Sequence, residues 1–278
     1  MSATAGIDVR PLAGAMGAEI HGVDLSQPLT PQTRDAVRAA FFRHIAIFFP
    51  DQHLKPRNIG DVVSLFGTPI RHPNLKPIDP DFPFVHELRK EPSQALNYGG
   101  EWHMDFSFLE TPLAANSLYA RQTPDFGGDT VFINLCTAYD ALSDGMKAML
   151  GGMRAVHSVP PGFLAELAAN PNRGNMEVKG EALHPVFRTI PETGRKCIYV
   201  YPAATRRFEA MTEAESKPII EFLMRHAERP EFQFRYRWRP DVFGIWDNRC
   251  CLHYALNDYP GQTRVMHRMV AMDTVRPY

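Results

Sequence analysis

Two histidines and an aspartate are the residues of this chain best suited to hold a reactive metal. His103 and Asp105 lie two apart in Trp102-His103-Met104-Asp105, and His253 follows far downstream in Cys251-Leu252-His253-Tyr254-Ala255. On a strand, side chains two apart project from the same face, so His103 and Asp105 converge on one ion while Met104 turns away. Two imidazoles and one carboxylate fill one face of an octahedron and leave three positions open. That vacancy separates an iron(II) centre that activates dioxygen from a closed structural zinc site. A His-x-Asp triplet is common by chance, and a single histidine is more often a hydrogen-bonded structural residue. The weight therefore rests on what accompanies the triplet.

Arg264 stands eleven residues after His253, and Arg268 four residues later, in the alternating run Arg264-Val265-Met266-His267-Arg268. On a strand the two arginines face the same side, roughly 13 Å apart. A core-facing guanidinium needs an anionic partner, and its planar fork suits carboxylate or sulfonate oxygens. Two inward arginines beside a metal point to two anionic molecules or two anionic ends. Without the upstream histidine they would read as surface arginines on an edge strand.

These pieces, together with Gly127-Gly128-Asp129-Thr130 and Trp246-Asp247-Asn248-Arg249, resemble the taurine and 2,4-dichlorophenoxyacetate dioxygenase family of iron(II)/2-oxoglutarate oxygenases. The resemblance runs from Leu12 to about Met272. It implies that His103, Asp105 and His253 ligate Fe(II) and carry catalysis, and that Arg264 and Thr130 hold the distal carboxylate of the cosubstrate 2-oxoglutarate. It also implies that O2 is the second cosubstrate, and that Arg268 and His72 receive the acidic group of a small anionic organic substrate. Hydroxylation with succinate and CO2 as co-products is the implied reaction, since halogenating relatives lack the carboxylate that Asp105 retains. Some relatives form dimers or tetramers, which makes self-association an expectation here.

The chain departs from the family pattern at Met104, at Asn97-Tyr98-Gly99-Gly100-Glu101, and at Ala204, where an aromatic wall gives way to a roomier pocket. These departures leave the substrate open among alkylsulfonates such as taurine, aryloxyalkanoates and other carboxylates. Two readings of another class compete: a non-catalytic ligand-binding jelly roll, and a zinc-dependent isomerase, which would have no use for Arg264 and Thr130.

The elements that must position these residues are mostly strands. Proline is frequent (24 of 278 residues) and cuts the sequence into short pieces. Strands are expected at 44–50, 84–88, 103–108, 114–120, 130–135, 153–159, 241–246 and 264–272. The alternating Phe232, Phe234, Tyr236 and Trp238 mark a half-buried strand, and 185–190 with 196–201 form a hairpin. Helices are expected from Pro31 behind its Thr30 cap, at 56–65 and at 139–150. Another follows Thr212, where Pro218 argues for a start at Ser216. Residues 160–181 read as a long loop, a candidate lid. The expected fold is a single mainly β domain, a double-stranded β-helix (jelly roll) core with flanking helices.

Thirty basic side chains balance thirty-one acidic ones, and no run of Lys and Arg offers a footprint for nucleic acid. No apolar run approaches membrane-spanning length, and the N-terminus lacks a signal pattern, so a cytoplasmic protein without membrane contact is expected. Cys136, Cys197, Cys250 and Cys251 match neither a disulfide framework nor a zinc motif and are expected to be buried thiols.

Overall fold

The computed structural model describes residues 6–72, 75–169 and 179–278. Its centre is built by apolar runs that do not alternate. Ala46–Phe49 (β3) and Phe243–Asp247 (β14) are buried at every position, as strands covered on both faces must be. They pair antiparallel with Ile47 opposite Ile245. Around them, among the described residues, an eight-stranded sheet runs β1 (Asp8–Pro11), β2 (Ala18–His21), β3, β14, β6 (Leu113–Gln122), β16 (Arg264–Met272) and β4 (Thr68–Ile70). The eighth strand, β5 (His86–Lys90), shares with β4 the edge of β16 that β6 does not use.

A smaller sheet, β13 (Gln233–Tyr236), β7 (Thr130–Asn134) and β15 (Cys251–Ala255), packs against the large one. Phe48 of the large sheet stacks on Tyr236 of the small one with ring centroids 3.6 Å apart, and Phe132, Phe234, Trp238 and Trp246 fill the same layer. The opposite face of the large sheet is covered by α1 (Pro31–His44) and α2 (Pro56–Val63). Val37, Phe41, Ile59 and Val62 there meet Ile47, Phe49, Phe243 and Ile245. Period-two alternation thus divides β3 and β14 between two cores. A third sheet, β12 (Thr205–Phe208), β8 (Arg154–Ser158) and β9 (Glu181–Pro185), and the hairpin of β10 (Phe187–Thr189) and β11 (Lys196–Ile198) complete the β structure. The architecture is mainly β with flanking helices around a jelly-roll core.

Three expectations need correction. The single helix at 139–150 is two, α3 (Leu135–Asp140) and α4 (Asp144–Leu150). Asn134 caps the first by accepting from Cys136 and Thr137 N–H groups, and Ser143 caps the second by accepting from Met146, so each cap fixes its own start. The helix placed at Ser216 begins at Glu213 (α6, Glu213–Ala227), where Thr212 and Glu215 form a complete capping box. Pro218 is only its sixth residue, and its missing N–H forfeits one bond, to Ala214. The expected loop at 160–181 opens with α5 (Pro161–Ala169) and ends in β9, while its remainder, 170–178, lies outside the described residues. All four cysteines are buried and unpaired. Among the described residues no helix is long and apolar enough to cross a membrane.

Candidate metal and cosubstrate site

His103 and Asp105 do come together with His253, but not by strand alternation. Trp102 to Phe108 is a turn that touches β15 through one antiparallel bridge, His103 opposite His253, with both backbone bonds formed (3.2 and 3.0 Å). The expectation of a strand at 103–108 was wrong because the segment leaves its bridge immediately: Phe106 adopts a positive φ of 54°, uncommon for a bulky residue and costly unless its surroundings hold it. What holds it is a set of side chains. The Asn248 carboxamide brackets Asp105, accepting from its N–H and donating to its carbonyl, each at 3.0 Å. The Tyr201 hydroxyl donates to the Met104 carbonyl (3.0 Å) and meets Ser107 Oγ (2.7 Å), which also contacts His157. His184 Nε2 donates to the carbonyls of Ser107 and Leu109. Met104 packs into the main core.

The ligand-capable atoms of His103, Asp105 and His253 lie within 4.8 Å of one another. His103 Nδ1 donates to the Glu101 carbonyl at 2.7 Å, which fixes the tautomer and leaves Nε2 to face the cluster. His253 Nε2 approaches Asp105 Oδ2 at 3.4 Å. Gly99 crowds against this group with a φ of 74°, and a Cβ there would come 2.9 Å from His103 Cε1. Burial is the largest single influence and raises the Asp105 pKa, but the Arg268 guanidinium, His253 and His103 together outweigh it and hold the carboxyl well below the usual carboxylate range. Asn116 also donates to Oδ2.

The two arginines lie on one face of β16, as expected, and both are buried. Their surroundings differ. Arg268 donates through Nε to Asn116 Oδ1 (3.2 Å) and sets Nη2 2.8 Å from Asp105 Oδ1. That contact is close enough for strong attraction although its angle makes no hydrogen bond. Arg264 donates through Nε to the Gly128 carbonyl (3.1 Å), and its Nη2 has no partner among the described residues. Burial pulls the Arg264 pKa down, yet a guanidinium stays charged. Gly128 has a φ of 68°, and a Cβ there would press on the Arg264 side chain at 3.3 Å.

Thr130, at the start of β7, accepts a hydrogen bond from Trp238 Nε1 at 2.9 Å. Its own hydroxyl proton is left for a further acceptor. His103, Asp105, His253, Thr130, Arg264, Arg268 and His72 line one cavity of about 1250 Å³ including its mouth. Much of its lining is apolar, including Leu75, Phe106, Phe108 and Phe163. The expected enlargement at Ala204 is not realised there: Ala204 is fully buried in the core, and Ala203 faces the cavity instead. His72 packs its ring 5.5 Å from Phe106 and 5.7 Å from His86. Burial, then Arg268 and His86, push its pKa down to about 3.

Several neighbours of the site lie beyond the reach of sequence spacing. Asn248 lay in a motif already noted but had no role. Trp238 was legible only as a core position. Asn116, His86, Tyr201, His157 and His184 carry no local signal, because their partners come from segments distant in sequence.

A jelly roll that delivers two imidazoles, one carboxylate and a buried unpartnered guanidinium to a single cavity defines a mononuclear metal oxygenase. The donor set fits a divalent iron, and the orphaned Arg264 Nη2 fits an anion beside it. Residues 8–270 match the model of the family described as taurine catabolism dioxygenase TauD, TfdA family, and the chain belongs to that family. It is 33% identical over 272 residues to an alpha-ketoglutarate-dependent sulfate ester dioxygenase of Pseudomonas putida, covering 95% of this chain and 88% of the relative. A solved taurine dioxygenase from Burkholderia xenovorans superposes with a TM-score of 0.82 at 32% identity, covering 98% of this chain and 91% of the other. The structure of AAD-2 in complex with Mn(II) and N-oxalylglycine superposes with a TM-score of 0.79 at 25% identity, covering 98% and 99%.

Proposed function

We propose that the protein is an Fe(II)- and 2-oxoglutarate-dependent dioxygenase that hydroxylates a small organic anion with an apolar body. The observation that carries this reading is the buried Arg264 with an unpartnered Nη2 in the same cavity as the His103, Asp105 and His253 cluster. A buried guanidinium without an anion is costly, so the site is built to receive one. The N-oxalylglycine bound in the AAD-2 structure is an isostere of 2-oxoglutarate. The sulfate ester relative carries dependence on the same keto acid in its name.

When bound, Fe(II) with 2-oxoglutarate and dioxygen supplies the oxidation, with succinate and CO2 as co-products. The chain's residues place and protect the reactants. His103, Asp105 and His253 hold the metal; the Glu101 carbonyl and Asn248 fix the first two in register. Arg264 and the Thr130 hydroxyl, the latter oriented by Trp238, hold the distal carboxylate of the cosubstrate. Arg268 and neutral His72 receive the anionic head of the substrate, and Phe106, Phe108 and Phe163 exclude water around its apolar part.

Sulfate esters, sulfonates and aryloxyalkanoates all meet this description. A succinate-release screen across these classes tests it: turnover is expected with anions that carry an alkyl or aryl body. Activity confined to uncharged compounds would overturn the role given to Arg268 and His72.

A further inference from the structure

Beside Arg264 on the cavity wall stands a second buried cation that neither the motifs nor the metal site call for. Lys90, the last residue of β5, is only 3% exposed. In the register of β5 with β16 it is the direct partner of Arg264, followed by Leu88 opposite Met266 and His86 opposite Arg268. Directly opposed residues of an antiparallel pair carry their side chains on one face, with Cβ atoms about 5 Å apart. Lys90 Nζ sits over the Tyr259 ring, 4.3 Å from its centroid. That ring is fixed by a hydrogen bond from its hydroxyl to Asn97 Oδ1 (3.0 Å). Lys90, Tyr259, Arg264 and Thr130 all line the same cavity.

Like charges placed directly across a strand pair repel, and burial strengthens the repulsion. Among the described residues neither Lys90 nor Arg264 forms an ion pair with an acid. Asp129, whose charge acts on Arg264, is tied to Arg235 at 2.6 Å, and Asp258 is held by the same arginine and the Gly128 N–H. A ring face offsets only part of the cost of a buried ammonium. An anion that enters the cavity they line would supply the remaining compensation.

We infer that Lys90 is the second cation of the distal-carboxylate subsite, clamping with Arg264 and Thr130 the far end of a 2-oxo dicarboxylate, and that it makes the enzyme strict for dicarboxylate over monocarboxylate keto acids. This inference rests on the cosubstrate reading given above. Guanidinium and hydroxyl supply directional hydrogen bonds in the plane of the carboxylate, and the ammonium supplies a point charge from across the strand pair.

The test is an anaerobic titration of the Fe(II)-loaded protein, read by the visible charge-transfer absorbance of the chelated keto acid. It is run with 2-oxoglutarate and with 2-oxovalerate, which keeps the chelating head and lacks the distal carboxylate. Lys90→Met is expected to weaken 2-oxoglutarate binding by about tenfold or more and to leave 2-oxovalerate within about twofold, with Lys90→Arg restoring most of the loss. The metal-free, ligand-free Lys90→Met protein is expected to melt at or above the wild-type temperature, because a repulsion has been removed. An unchanged 2-oxoglutarate affinity, an equal loss for both keto acids, or a lowered melting temperature of the empty protein overturns the assignment. A wild-type protein that binds 2-oxovalerate and 2-oxoglutarate equally overturns it too. A wild-type protein that develops no band with either acid overturns the cosubstrate reading itself, and this inference with it.

Discussion

The two ends of the inward face of β16 carry the same residue type in opposite electrostatic states. At one end Arg268 is already matched: Asp105 lies 2.8 Å away, Asn116 accepts from its Nε, and two neutral histidines, His72 and His86, stand beside it. At the other end Arg264 has a carbonyl for Nε, an orphaned Nη2 and a second cation across the strand. The matched end belongs to a group that must stay charged and oriented whether or not a ligand is present. The unmatched end is a deficit, which in the function proposed above a ligand carboxylate removes. Sequence spacing puts both arginines on one face; only their neighbours distinguish the two roles.

The largest effect is expected at the unmatched end. Arg264→Leu is expected to raise the dissociation constant of 2-oxoglutarate by about 100-fold or more, the cost of losing a buried charged partner, without lowering the stability of the empty protein. Anaerobic titration and thermal melting check the two halves. A loss of stability with intact cosubstrate binding would show that Arg264 is a structural residue after all.

At the matched end, Arg268→Met should do the reverse. Asp105 then loses its closest cationic partner while staying buried, so the metal-free protein is expected to lose about 2–4 kcal/mol of stability. Its kcat/KM for an anionic substrate should fall about tenfold or more, while cosubstrate affinity changes by less than about threefold. Urea unfolding and steady-state kinetics measure these changes. Equal damage to substrate and cosubstrate binding would erase the distinction between the two ends.

The histidines give the matched end a pH signature. Burial holds His72 at about 3 and His86 at about 4, and likewise His157 at about 3 and His184 at about 4 behind the Met104 turn. All are below the ordinary value of 6.5, so the unfolded chain takes up protons that the native state refuses. Their contribution to stability is complete above about pH 6.5 and is lost as pH falls toward 4. The slope in that window is about 1.4 kcal/mol per pH unit for each histidine involved. Urea midpoints measured from pH 7.5 to 4.5 should fall steadily, and a flat profile contradicts the buried neutral state. Smallest of all, Trp238→Phe removes the bond that orients Thr130. It should weaken 2-oxoglutarate by about threefold to tenfold, read by the same titration.

Much of this site was legible in the sequence, and the failures have definite causes. Period-two patterning places Phe234, Tyr236 and Trp238 inward and gives β16 its bounds from Arg264 to Met272. Strand alternation, however, brings His103 and Asp105 together for the wrong reason. His103 and Asp105 converge because a strained turn at Phe106 is clamped by Asn248, Tyr201 and His184, and such contacts leave no periodic trace. Lys90 escaped notice because the sequence signal for its strand runs over 84–88, whereas pairing with β16 extends that strand to Lys90. Its meaning depends on a partner 174 positions away. Turns held by distant side chains and cross-strand neighbours are tertiary facts, and they are where reading by spacing stops.

The most direct test of the account is succinate release from 2-oxoglutarate under air with Fe(II) and an anionic substrate of the sulfate, sulfonate or aryloxyalkanoate class, comparing the wild type with His103→Ala. The wild type is expected to release succinate in a substrate-stimulated, Fe(II)-dependent manner, and the variant none above background. Wild-type-level turnover by His103→Ala would contradict it.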